Sequence, residues 1–219
     1  MTIFSSTASS GCEAIRCSLS AFYTRPSYRA FASLLTLRAL SHHDVTYLNV
    51  TPAYNTFPLL GAQGYQRYCE GTVTVAAALL RPRSGVKITR FDPDGADRPG
   101  LSADECRLLA DHAGYGCISL VCHGPDGTHP FVFHRRRAIK KLLPAAHLIY
   151  CRQIEDFVSL AGNIGRYLAL RGTPLVLVDT NGALPRMKGH FGSLPKYFKG
   201  PLMPRLGDLT YTELPILGL

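Results

Sequence analysis

Two arginines four residues apart, Arg25 and Arg29, sit on either side of Pro26-Ser27-Tyr28, the head of the segment Pro26-Ser27-Tyr28-Arg29-Ala30-Phe31-Ala32-Ser33-Leu34-Leu35. A proline with its fixed φ suits the first turn of a helix. Tyr28, Ala32, Leu35 and Ala39 then recur at steps of four, three and four, the spacing of one helical face, which predicts a helix over residues 27–40. The opening amides of a helix have no internal partner, and its dipole places about half a positive charge there, so such a turn can grip a phosphate or diphosphate. The expected donors are the amides of Arg29, Ala30, Phe31, Ala32 and Ser33, with the Arg25 and Arg29 guanidinium groups supplying charge and paired hydrogen bonds.

The other chemically interesting groupings read more plainly. Cys122-His123 with His129 has the residue types of a thiol and its base, or of a metal site, but Gly124-Pro125-Asp126-Gly127 between them is hairpin chemistry, which makes the histidines surface residues. The seven cysteines form no C-x-x-C pair, so neither a disulfide framework nor a metal centre is expected, and most read as small buried apolar residues. His134-Arg135-Arg136-Arg137-Ala138-Ile139-Lys140-Lys141 reads as a solvated turn or helix face; without stacking aromatics it carries no nucleic-acid signature. Glu105, Asp111 and His112 are expected on a helix surface, and Asp179-Thr180-Asn181-Gly182 in a turn after a strand. Lys196-Tyr197-Phe198-Lys199 is expected in a long loop.

These groups need elements to position them. Short apolar runs predict strands at 17–23, 45–50, 65–80 (one long or two short) and 86–91, with helices at 27–40 and 52–63, the second stopped by Gly64. Turn formers fill 92–100, a candidate linker. Beyond it, Ser102-Ala103-Asp104-Glu105 fits a capping box opening a helix over 103–113. Strands follow at 117–122, 129–134 and 147–151, then an amphipathic helix over 154–170, a strand at 174–178, a loop over 180–204 and a last strand at 209–217. Two units result, 1–91 and 101–219. With 219 residues, 46% apolar and 18% charged, the chain is globular. No run approaches the roughly 20 apolar residues of a membrane span, and residues 1–12 lack the pattern of a secretory signal, so a cytoplasmic protein is expected.

Phe22-Tyr23-Thr24-Arg25-Pro26-Ser27-Tyr28-Arg29-Ala30-Phe31-Ala32-Ser33-Leu34-Leu35, followed by the strand at 45–50 and by Gly64-Tyr65, resembles the cofactor-binding passage of the GNAT acyl-CoA N-acyltransferases. The resemblance implies an α/β fold with a mixed sheet, made of a partial first GNAT-like unit (1–91, fourth strand onward) and a second GNAT-like unit (101–219). It also implies acyl-CoA as cosubstrate, its pyrophosphate held at Arg25, Arg29, Ala30, Phe31, Ala32 and Ser33, and an amine as acceptor. Ala32 and Leu34 stand where the family places glycines. The family's general acid, a tyrosine four residues before the Gly-Phe pair, is replaced by Leu60, leaving Tyr54, Tyr65 and Tyr68 as nearby candidates. Residues 1–16 are too few for the family's front strands, so the first unit reads as N-terminally truncated, with a homo-oligomer or a completing chain as possible remedies. The second unit has Glu155 and Asp156, not glycines, after its fourth strand. The alternative is a catalytically inactive GNAT-like binding or scaffold protein.

Overall fold

The computed structural model describes residues 2–9, 12–19, 25–95, 99–138, 142–185 and 187–218. Among them two mixed sheets form a mixed α+β fold. Sheet A has the order β1 (Thr2–Ser9), β2 (Cys12–Leu19), β3 (Val45–Asn49), β12 (Lys196–Lys199), β4 (Gln66–Cys69). Sheet B runs β11 (His190–Gly192), β5 (Gly71–Val75), β10 (Leu175–Thr180), β9 (Leu143–Cys151), β8 (Gly127–Ala138), β7 (Ile118–Gly124), β6 (Lys87–Arg90). The sheets exchange strands: β4 and β5 are separated by Glu70 alone yet lie in different sheets, and β12 returns late in the chain to sheet A.

Each sheet contains one parallel pair joined through a helix. In sheet A, β2 and β3 are linked by a 3-10 helix over Pro26–Phe31 and α1 (Ala32–Ala39). In sheet B, β9 and β10 are linked by α4 (Ile154–Ala169). Three further helices are α2 (Phe57–Ala62), α3 (Ala103–Gly114) and α5 (Glu213–Leu217). Helix α4 buries Phe157, Leu160, Ile164 and Leu168 against sheet B, each at about 1.5–3 kcal/mol. On its other side it packs against a 3-10 helix over Ala77–Leu79, so closely that a Cβ on Gly165 would lie 2.3 Å from the Ala77 carbonyl carbon. The capping box at Ser102 and Glu105 forms as its sequence dictates and opens α3.

Several expectations are corrected. The strand expected at 17–23 is β2, which begins at Cys12; residues 20–23 of that expectation, and 139–141 of the basic run, lie outside the described residues. An apolar-run criterion misses the front of β2 because Glu13 and Arg16 interrupt it, and the buried Arg16 is paired with a distant segment instead of facing solvent. Residues 180–204 are not simply loop, since they hold β11 and β12, and Lys196-Tyr197-Phe198-Lys199 is a strand of sheet A. The last strand expected at 209–217 is replaced by an irregular segment and α5: Pro215 cannot donate to a ladder but is tolerated in a first helical turn. Arg135, Arg136 and Arg137 lie on β8, not on a turn or helix face. His112 is buried rather than on the surface: its Nδ1–H donates to the Leu108 carbonyl (2.8 Å) and its Nε2 accepts from the Tyr211 amide (3.3 Å).

Candidate functional site

Strands β2 and β3 pair in parallel from Ile15 with Val45 to Ser18 with Leu48, and among the described residues the pairing goes no further. This is the carboxyl end of a strand–helix–strand unit, where open α/β sheets keep their ligands. Beyond it the chain re-enters at Arg25, which is exposed, and the Tyr28 amide donates to the Arg25 carbonyl (2.9 Å). The first helical turn therefore starts at Arg25. The amides of Arg29, Ala30 and Phe31 lie inside the 3-10 helix, and Ala32 and Ser33 begin α1. Leu34 is 59% exposed.

A carboxylate that sequence reasoning missed bridges the ends of these two strands. Glu213, at the start of α5, is 0% exposed. Its Oε2 accepts a hydrogen bond from the Ser18 hydroxyl, and its Oε1 accepts one from Thr51 Oγ1 at 2.7 Å. Two residues back along β2, the Arg16 guanidinium donates to both Asp208 carboxylate oxygens (3.1 and 3.3 Å) and to Thr210 Oγ1 (3.2 Å). Burial alone would raise the Asp208 carboxyl above its ordinary value; the charges of Arg16 and Arg205, with hydrogen bonds from Thr210 and Arg16, hold it below that value. The only sequence signal for Glu213 was Thr212-Glu213-Leu214-Pro215, a helix-start composition set inside what reads as a strand.

The three candidate tyrosines do not converge. Tyr54 is exposed, its hydroxyl donating to the Ser193 carbonyl (3.3 Å). Tyr65 is buried with Cys17, Val45, Tyr47 and Leu60, whereas Tyr68 is buried in a different cluster with Leu48, Val50 and Phe198. Burial pushes both of these hydroxyls above the ordinary phenol range. Leu60 is part of the core, so no acid stands at that position.

The second parallel pair is built differently. β9 and β10 pair from Ala145 with Leu175 to His147 with Leu177 and then part, although β9 continues to Cys151 and β10 to Thr180. One edge of β9 is held throughout by β8. The other edge, left by β10, is taken by the segment at 207–209: the Leu209 amide donates to the Ile149 carbonyl (2.8 Å) and the Cys151 amide to the Gly207 carbonyl (3.0 Å). Gly207 has φ +76°, and a Cβ there would lie 2.6 Å from Cys151 Sγ. The start of α4 is closed as well, Gln153 and Asp156 capping each other's backbone amides.

Where β9 and β10 part lies a buried polar cluster. Lys196 Nζ donates to Asp179 Oδ1 at 2.7 Å, with Thr72 Oγ1 (3.0 Å) and His147 Nε2 (3.1 Å) on the same oxygen. Burial alone would raise the Asp179 carboxyl, but Lys196 and His147 drive it far below the carboxylate range, while burial keeps His147 neutral. Asp179-Thr180-Asn181-Gly182 is thus more than a turn: Asp179 ties β12 of sheet A to sheet B, and Asn181 caps the passage between β4 and β5 through the Glu70 amide (2.8 Å) and the Tyr68 carbonyl (2.9 Å). Of the cysteines, Cys17, Cys69, Cys117, Cys122 and Cys151 are buried, with thiols pushed up to about 11 or 12 by burial, which leaves Cys122 unreactive beside His123. Among the described residues no group of His, Cys, Asp and Glu could hold a metal ion, and no helix is long and apolar enough to cross a membrane.

No family model and no curated protein sequence matches the chain. Solved structures do. A GCN5-related N-acetyltransferase from Anabaena variabilis superposes with a TM-score of 0.54 at 12% identity, over 90% of this chain and 58% of that one. A conserved protein of Enterococcus faecalis, described as a probable N-acyltransferase, gives 0.52 at 13% identity, over 96% of this chain and 59% of that one. The fold is GNAT-like, and the chain spans less than two thirds of the length of either neighbour.

Proposed function

We propose that the protein is an acyl-CoA-dependent acyltransferase that moves an acyl group from coenzyme A to an amine acceptor at the end of β2 and β3. The observation that carries this reading is the parallel β2–helix–β3 unit, whose strands part after Ser18 and Leu48 with an exposed arginine at the start of the following helix. Arg25 and Arg29, with Ala30, Phe31, Ala32 and Ser33 at the opening of the helix, would hold the pyrophosphate by charge and by backbone donors. The cosubstrate supplies an activated thioester. The chain supplies orientation, which alone can contribute several kcal/mol to such a transfer. The units at 1–91 and 101–219 are then a cofactor-binding first half and a supporting second half of a soluble enzyme.

A second reading, an inactive GNAT-like binding or scaffold protein, is favoured by one observation: Tyr54, Tyr65 and Tyr68 do not converge, Tyr54 being exposed and Tyr65 and Tyr68 buried in separate clusters. Thermal melts with acyl-CoA of several chain lengths, read beside thiol release with a panel of amines, test both. A ligand at about 100 times its dissociation constant stabilises the native state by about 2.7 kcal/mol. A clear rise in melting temperature with thiol release supports the transferase, a rise without release supports the scaffold, and no rise with any chain length overturns both as coenzyme-binding proteins.

A further inference from the structure

The segment that fills the second parting is the same one that reaches the first. Residues 207–209 are bonded into β9, the Asp208 side chain crosses to Arg16 of β2, and Glu213, four residues beyond Leu209, lies across the ends of β2 and β3. Tyr211 fixes the stretch between, with φ +56°, its hydroxyl on Asp111 Oδ2 (2.7 Å) and its amide on His112. Among the described residues the buried Glu213 carboxylate is held by two hydroxyls, and one of them belongs to Thr51, an exposed residue.

We infer that Glu213 is a positioning residue for the acyl transfer proposed above, accepting through Thr51 the proton that the amine must lose, and that the Gly207–Leu209 anchor in sheet B is what delivers it. The inference rests on that transferase reading. In the step, the amine nitrogen forms a bond to the acyl carbon and the carbon–sulphur bond breaks, the thiolate taking a proton from water. The proton of the new ammonium passes to Thr51 Oγ1 as the Thr51 proton moves to Glu213 Oε1, from which water later removes it.

The test uses the full chain and steady-state thiol release. Glu213→Gln, which keeps the shape and one acceptor, is expected to lower kcat at least 30-fold with KM for acyl-CoA changed less than 3-fold. Thr51→Ala should do the same, and Thr51→Ser and Glu213→Asp should recover much of the loss. Gly207→Val, remote from the cleft, should lower kcat in the same manner while the coenzyme-induced melting shift persists. If Glu213→Gln or Thr51→Ala keeps the wild-type kcat, or if Thr51→Ser is as impaired as Thr51→Ala, the inference is overturned while the transferase reading stands. If the wild-type chain neither binds coenzyme nor releases thiol, both fall together.

Discussion

The two parallel pairs are the same construction put to opposite ends. At β2 and β3 the pairing among the described residues ends at Ser18 and Leu48, and the side chains of Ser18, Thr51 and Glu213 join the two strands beyond it. At β9 and β10 the interval is occupied by main chain, with Gly207–Leu209 bonding to the edge of β9 that β10 leaves. An unpaired strand edge inside a protein leaves amides and carbonyls without partners at a cost of about 1–3 kcal/mol each, so a parting must be filled by something. The second is filled by the chain itself, at Gly207–Leu209.

Four measurements can break or sharpen this contrast. The largest expected effect is all-or-none: coenzyme A titrated calorimetrically should saturate one site per chain, and a second equivalent of similar affinity would show that the β9–β10 parting is open after all. Next, Asp179→Ala strands the buried Lys196, which is 2% exposed, and should lower the unfolding free energy by about 3–5 kcal/mol in urea titration. Loss of under 1 kcal/mol would mean the cluster does not hold the sheets together. Gly165→Val, which drives side-chain atoms into the 3-10 helix at Ala77 behind the second parting, should cost about 1–3 kcal/mol without altering coenzyme affinity.

The smallest effect is on pH dependence. His112 and His147 are kept neutral by burial, their values lowered from 6.5, so the unfolded chain takes up protons more readily than the folded one. Stability is complete above about pH 6.5 and declines below it. Asp208 and Asp179, both held below 3.8, contribute stability above about pH 4 that is lost on further acidification. Urea midpoints should therefore fall gently from pH 7 to 5 and more steeply below 4, and His112→Gln should flatten the upper part. A midpoint that rises between pH 7 and 5 would contradict the neutral His112 that fastens Tyr211.

Much of the second half was legible in the amino acids, because its elements obey local rules. The Ser102–Glu105 box, the Gly124–Gly127 hairpin and the apolar face of α4 each lie within a few residues of their partners. The GNAT-like fold could also be read, from the Arg25–Leu35 passage and the strand at 45–50. The site was only half legible. Arg16 and Ser18 find their partners about 190 residues away, at Asp208 and Glu213, and no period or motif connects them. Lys196 reads as a loop lysine because its carboxylate, Asp179, belongs to another sheet. β1, rich in serine and threonine, offers no apolar alternation and is fixed by β2.

The passage from β4 to β5 through Glu70, with β12 returning in the other direction, has a practical meaning. Halves of this protein expressed separately would each lack an inner strand that the other owns, so neither should be a useful truncation. A nick in the chain would be tolerated only if both fragments stayed together, like two combs pushed tooth into tooth.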